Sequence, residues 1–259
     1  MTIHYITIHH ATTRWIDIQL RYIDHFTNNY KVWTLFSKDI DIDAHKDKYH
    51  FASYKQESHP KQQSEDHGRA LDALTNIVCS NPNVKEGDIL LFIDSDALPI
   101  NNVNEYVESK LKKYPFCAVN RIENLGCLSP HPSFAFCTVK FWKDHQCTWG
   151  RDQSKDGHVD YLADTGARLL YNFKDNNIDW FRIQRDSKKS LFTDPLLYVV
   201  YGDIVYHHCA GSRGVFKTRA TSSYMLNESN LPFFSKIYEH VENHIWNTIN
   251  SDYFIKKIK

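Results

Sequence analysis

The run Asp88-Ile89-Leu90-Leu91-Phe92-Ile93, preceded by Gly87 and followed at once by Asp94-Ser95-Asp96, constrains the fold most. Its apolar part shows no alternation and is too short for a helix. A segment of this kind fits a parallel strand covered on both faces, and such strands belong to α/β sheets with helical crossovers. The residues before it agree. Residues 3 to 9 read as a strand, and residues 14 to 28 as a helix with Ile16, Leu20, Ile23 and Phe26 on one face. Residues 31 to 37 read as a second strand. The polar segment 38 to 63 is expected to be a long loop. A helix then opens at Ser64, with Glu65 and Asp66 in its first turn and Leu71, Leu74 and Val78 on its buried stripe. Strand, helix, strand, helix, strand is the pattern of a doubly wound sheet.

Beyond Asp96 the pattern is mixed. Residues 114 to 120 and 134 to 139 are expected strands, and residues 165 to 173 a helix opened by Asp164. Residues 198 to 206 are an expected strand running into His207 and His208. Pro232 suits a first helical position, with Phe234, Ile237, Val241, Ile245 and Ile249 forming a stripe behind it. No repeat or linker divides the 259 residues, so one α/β domain is expected. The 31 basic and 31 acidic residues balance, which argues against a phosphate-tracking nucleic-acid surface. Met1 to His10 lacks the pattern of a secretory leader, and no apolar stretch reaches membrane-spanning length. The six cysteines contain no Cys-x-x-Cys pair and read as reduced thiols. A cytoplasmic protein is expected, with at most peripheral membrane contact through Lys256, Lys257 and Lys259.

The chemistry centres on Asp94 and Asp96. Ligands of open α/β sheets bind at the carboxyl ends of the strands, where this pair falls. Two carboxylates one residue apart repel unless a cation or basic group compensates, and Mg²⁺ or Mn²⁺ with oxygen ligands would do so. The plainer reading is that the two acids only end the strand, since Asp favours turns.

On Phe92-Ile93-Asp94-Ser95-Asp96, the sequence resembles the glycosyltransferase-A fold, the nucleotide-diphospho-sugar transferases, whose hallmark is an Asp-x-Asp after a central strand. The resemblance covers about the first 120 residues best. It implies a Rossmann-like, mostly parallel central sheet flanked by helices. Residues 1–120 would form a nucleotide-sugar-binding half, 121–230 an acceptor-binding half and 231–259 a C-terminal helix. It further implies a UDP- or GDP-sugar donor, a divalent metal (Mn²⁺ or Mg²⁺), and a glycan or lipid-linked acceptor.

The late segment His207-His208-Cys209-Ala210-Gly211-Ser212-Arg213 matches the family's third metal ligand followed by a basic residue. His208 is the expected ligand, ahead of His207, with Asp94, Ser95 and Arg213 on the donor diphosphate. The sequence departs from some relatives, which have Lys-Pro-Trp where Ser212-Arg213-Gly214 stands. The resemblance also places donor contacts in the loops after the first two strands, at His9, His10, Thr12 and Asp39. Gly68 within a helix is unfavourable by about 1 kcal/mol relative to Ala. It implies a close approach at that point, with Arg69 either reaching the donor sugar or phosphates or standing as a solvated arginine on the helix face. Inverting members of that family use a carboxylate at the start of a late helix as general base, which implies Asp164, with Asp160 second. An N-cap role for Asp164 is equally compatible, and a retaining enzyme would need no such base. Phe134, Phe136, Phe141, Trp142 and Trp149 either line an acceptor site or belong to the core. A non-catalytic sugar-binding module and a sugar-nucleotide pyrophosphorylase are the competing functions. The second usually carries a Gly-rich N-terminal loop, whereas residues 8 to 14 contain no glycine.

Overall fold

A computed structural model describes residues 1–56, 63–120, 128–151, 164–185, 199–209, 243 and 246–250. Their central feature is a seven-stranded sheet in the order β3-β2-β1-β4-β7-β6-β8. Its strands are β1 (Ile3–His9), β2 (Tyr30–Phe36), β3 (Phe51–Tyr54), β4 (Ile89–Ile93), β6 (Phe116–Asn120), β7 (Pro130–Thr138) and β8 (Phe181–Ile183). Six run parallel, and β7 lies antiparallel between β4 and β6. A smaller antiparallel sheet joins β5 (Ala97–Pro99), β10 (Val205–His207) and β9 (Val199–Tyr201). The protein is thus an α/β domain built on a mostly parallel sheet flanked by helices.

The apolar run of β4 explains the centre of this sheet. All five residues of the strand are buried because alternate side chains enter two different cores. Ile89, Leu91 and Ile93 pack with Ile3 and Tyr5 of β1 and with helix α1 (Ile16–Phe26), through Ile16, Ile18, Tyr22 and Ile23. Leu90 and Phe92 face the other way, with Ile6, Ile8 and Leu71, Leu74 and Val78 of helix α2 (Gln63–Ser80). Helix α3 (Val103–Leu111) joins the first face, while α4 (Val139–Asp144) and α5 (Ala167–Asp175) join the second. The chain lays β1, β2 and β3 outward, then returns to place β4 on the free side of β1. The carboxyl ends of β1 and β4 therefore flank a topological switch point, where open α/β sheets bind ligands.

Several expectations change. Segment 38–63 is not only loop, because Phe51–Tyr54 add a fourth parallel partner at the sheet edge. A half-buried edge strand this short has no periodic signature. Residues 198–206 are not one strand but a hairpin, since Gly202 and Asp203 both take positive φ (59° each) between β9 and β10. Gly-Asp is a turn signal of this hairpin type. The helix expected at 165–173 begins at Ala167, with Gly166 rather than Asp164 at its N-cap. Gly166 has φ +95°, and a Cβ there would meet the Pro130 carbonyl oxygen. The aromatic cluster is core: Phe134, Phe136 and Trp149 are fully enclosed, and Phe141 and Trp142 nearly so. Of the C-terminal helix, Trp246 and Ile249 are described and pack on the α1 face, with Tyr22 donating its hydroxyl proton to the Ile249 carbonyl.

Candidate metal and donor site

Asp94 and Asp96 leave the end of β4 in a turn clamped from three sides. The Asp94 N–H donates to the Ser133 carbonyl on β7 (3.4 Å), and the His208 N–H donates to the Asp96 carbonyl (3.0 Å). From α1, Gln19 places its amide nitrogen 2.7 Å from the Asp94 carbonyl oxygen and 3.0 Å from that of Ala97. Gln19 is buried, and its own oxygen accepts from Thr7. Backbone that would otherwise fray at a strand end is thereby fixed, and the two carboxylates are held in place.

β10 brings the third member. Its register pairs His207 with Ala97, one residue past Asp96. Asp94, Asp96 and His207 each offer one ligand atom, all within 4.8 Å of one another. His207 Nε2 stands 3.4 Å from Asp94 Oδ2 and 3.3 Å from Asp96 Oδ1. Two carboxylates and one imidazole form a donor set that fits a divalent cation. The neighbouring His208, expected as the ligand, turns away. It is fully buried, its ring lies 4.6 Å from that of Trp15, and its Nδ1 is 2.9 Å from the Tyr206 hydroxyl. Side chains along a strand alternate, so Tyr206 and His208 share one face and His207 takes the other.

Among the described residues, two histidines outside the expected set also stand at this site. His67, in the first turns of α2, puts Nε2 3.3 Å from Asp94 Oδ1, the oxygen that His207 does not face. His131, at the start of β7, has its ring 6.5 Å from that of His207 and its Nε2 4.0 Å from Asp164 Oδ2. Its Nδ1 accepts the Ser133 N–H at 3.1 Å, so the proton of the neutral ring sits on Nε2, facing Asp164. Neither residue carries a motif spacing; they are adjacent to the aspartates only through sheet order.

The electrostatics follow. Burial alone would push the Asp94 carboxyl up, but His67, and then His131 and His207, hold it well below the usual carboxylate range. His207 is also buried, which would lower it, yet Cys209 and the Asp96 carboxylate push it well above an ordinary imidazole. The lowered Asp94 and the raised His207 both mark this position as one that favours positive charge.

The expected donor residues divide. His10, Asp39, Ser37 and Lys55 gather where β1, β2 and β3 end. Lys55 Nζ is 3.2 Å from His10 Nδ1, and the Ser37 hydroxyl accepts the Ala11 N–H at 2.9 Å. A hydrogen bond with Ser37, helped by His10 and Lys55, holds the Asp39 carboxyl below its ordinary value. Thr12 is half-buried and accepts the Arg14 N–H, forming the turn that leads into α1. Ser95 is half-buried between the two aspartates. His9 is not on the open edge: it is fully enclosed, stacked on Phe36 and 2.9 Å from the Tyr49 hydroxyl. Arg69 does not reach the site either, because it pairs with Glu65 one turn back on the exposed face of α2. The close approach implied by Gly68 comes from the chain itself, since a Cβ there would stand 2.6 Å from the Trp149 carbonyl oxygen. Arg213, Gly211 and Asp160 lie outside the described residues.

A cleft of about 440 Å³ lies elsewhere, between α1 and the start of β2, and includes Arg21, Lys31, Lys48 and His50. Its main cations are engaged, Lys48 by Asp17 and Arg21 by the carbonyls of Ile249 and Asn250. The cluster of titratable groups is at the switch point instead.

No protein family's sequence profile matches the chain, and no curated protein matches it in sequence. Similar solved structures include the apo form of the glycosyltransferase GlyE of Streptococcus pneumoniae, at 11% identity and a TM-score of 0.44. That likeness covers 70% of this chain and 45% of the GlyE chain, so this chain spans under half of that protein. The galactosyltransferase LgtC in complex with donor and acceptor sugar analogues matches at 12% identity and a TM-score of 0.46, over 88% of this chain and 98% of that one. Staphylococcus aureus TarS matches at 12% identity and a TM-score of 0.41, over 57% of this chain and 30% of that one. At these levels of likeness, the function has to be read from this chain's own residues.

Proposed function

We propose that this chain is a metal-dependent glycosyltransferase, moving a sugar from a nucleotide-diphosphate-sugar to an acceptor hydroxyl. The observation that carries the reading is the convergence of Asp94, Asp96 and His207 within 4.8 Å at the carboxyl end of a central parallel strand. A divalent ion bound there, Mn²⁺ or Mg²⁺, would neutralise the donor diphosphate and the charge that develops as it leaves. The loops that end β1, β2 and β3, with His10, Thr12 and Asp39, would seat the nucleoside, UDP or GDP by preference. Ser95 and Arg213 would contact the diphosphate.

Asp164 is the proposed general base. Its carboxylate accepts the acceptor hydroxyl proton as the new O–C bond forms, and the donor C–O bond breaks with its electron pair passing to the diphosphate. His131 stands beside this carboxylate, with Nε2 4.0 Å from Asp164 Oδ2, and the Thr165 N–H donates to Asp164 Oδ1 at 2.8 Å. The outcome would be inversion at the sugar carbon. The acceptor, a glycan or lipid-linked sugar, would enter from the half formed by residues 121–230. The free thiols Cys79, Cys117, Cys137, Cys147 and Cys209 fit a cytoplasmic setting. No helix among the described residues is long and apolar enough to cross a membrane.

Thermal shift against UDP, GDP, CDP and dTDP, each with and without Mn²⁺, tests the reading on wild type and Asp96→Ala. A nucleotide at 100 times its dissociation constant should stabilise the fold by about 2.7 kcal/mol. The expected result is a shift with one nucleotide that needs both the metal and Asp96. Absence of any shift would favour a non-catalytic module.

A further inference from the structure

The thiol of Cys209 lies behind His207, against the ring nitrogen that does not face the aspartates. Its Sγ is 3.4 Å from His207 Nδ1 and 3.8 Å from the His207 carbonyl oxygen, and the residue is buried. With the S–H turned to the carbonyl, the sulfur lone pairs are placed to accept a proton from Nδ1. A neutral imidazole with its proton on Nδ1 presents its lone pair at Nε2, and Nε2 is the atom beside Asp94 and Asp96.

The backbone supports the assignment independently. Cys209 has φ +61°, in the left-handed region where a side chain is disfavoured and glycine is the usual occupant. Backbone conformations of this kind cluster at functional sites. Metal-bound histidines commonly donate their second N–H to a carboxylate, carbonyl or water, which sets both the tautomer and the ring orientation. Here a thiol stands in that place.

We infer that Cys209 is a positioning residue for the cation site, holding His207 in the tautomer and orientation that leave Nε2 free to coordinate. The inference rests on the metal-site reading above, and the experiment separates the two.

Mn²⁺ binding to the full chain is measured from the paramagnetic resonance signal of the free aqua ion, for wild type, Asp96→Ala, Cys209→Gly and Cys209→Ser. Unfolding midpoints are recorded in parallel. Glycine relaxes the positive φ, so Cys209→Gly should keep or raise thermal stability while weakening Mn²⁺ binding about 10–100-fold. Cys209→Ser, whose hydroxyl also donates and accepts, should recover most of the affinity. A Cys209→Gly protein that binds Mn²⁺ as wild type does overturns the inference and leaves the cation site standing if Asp96→Ala has lost binding. A Cys209→Ser protein as weak as Cys209→Gly also overturns it. A wild-type protein whose Mn²⁺ binding does not depend on Asp96 overturns both.

Discussion

β1 and β10 both end on a buried histidine, His9 in the central sheet and His207 in the small one, and the two have opposite chemistry. His9 meets Phe36 and the Tyr49 hydroxyl, with no carboxylate beside it among the described residues, and burial pulls its pKa down to about 3. His207 is as enclosed, but Asp94 and Asp96 face its Nε2 and it is pushed well above an ordinary imidazole. Burial is common to the two, so the difference comes from the partners. A neutral ring locked by an aromatic and a phenol is part of the scaffold. A ring held against two carboxylates sits where positive charge is favoured.

The largest effect that would break this contrast is on turnover. Asp96→Ala and His207→Ala should each lower kcat/KM by about 10³-fold or more, through loss of several kcal/mol of charge stabilisation in the transition state. Both should abolish the Mn²⁺-dependent thermal shift. His208→Ala should keep that shift and lower the melting temperature instead, because it empties a packed position beside Trp15 and Tyr206. If His208→Ala loses the metal response and His207→Ala keeps it, the assignment of the two histidines is reversed.

Next comes Asp164→Asn, expected to lower kcat roughly 10²-fold or more while leaving nucleotide-dependent stabilisation unchanged. An Asp164→Asn enzyme with unchanged kcat would remove the general base and favour a retaining reaction.

Acid and alkali should then separate the histidines by sign. His9 has a folded value of about 3 against an unfolded value of about 6.5, so below pH 6.5 the unfolded chain takes up a proton that the fold refuses. Stability is therefore lost as pH falls from about 6.5 towards 3, by at most about 1.4 kcal/mol per unit from this group. His4, also lowered by burial, acts in the same direction. His207 works the other way. Its raised value stabilises the ion-free fold fully below pH 6.5, and that contribution fades as pH rises towards its folded value. Urea unfolding of ion-free protein at pH 4.5, 6.5 and 8.5 should show a maximum near the middle. His9→Gln should flatten the acid side, and His207→Gln the alkaline side. If His9→Gln leaves the acid slope unchanged, His9 is already protonated in the fold and the contrast fails.

What the sequence revealed follows from what each feature depends on. β4, its acidic turn and the helices on either side are written in local pattern: an unbroken apolar run, a stripe at helical spacing, acids after a strand. The choice between His207 and His208 depends on strand phase, and a hairpin turn at Gly202-Asp203 sets that phase. The turn signal is present in the sequence but is easily lost inside a run that reads as one strand. His67 and His131 depend on nothing local. Both are far from Asp94 along the chain, and sheet order alone places α2 and β7 beside the end of β4. The burial of His9 is hidden for a related reason: its position at a strand end is legible, but its enclosure by Tyr49 is set by a loop without periodicity.

The smallest effect concerns how α2 reaches the His207 side of the comparison. His67 faces Asp94 from the turn of α2 in which the following residue, Gly68, lies against the Trp149 carbonyl oxygen. That carbonyl also accepts the Gly166 N–H at 3.0 Å, and the Gly150 carbonyl accepts from Arg168, so the same turn anchors the start of α5 close to Asp164. Helix propensity alone predicts that Gly68→Ala stabilises by about 1 kcal/mol. A Cβ at 2.6 Å from a backbone oxygen demands a shift, and overpacking of this kind costs about 1–3 kcal/mol. The net expectation is a loss of about 1 kcal/mol, read as a melting point lower by a few degrees, together with a fall in kcat as Asp94 and Asp164 are displaced. A Gly68→Ala protein that melts higher than wild type would mean that α2 stands off from the Trp149 turn. His67 would then be too far from Asp94 to hold its charge, and the site would depend on β4, β7 and β10 alone.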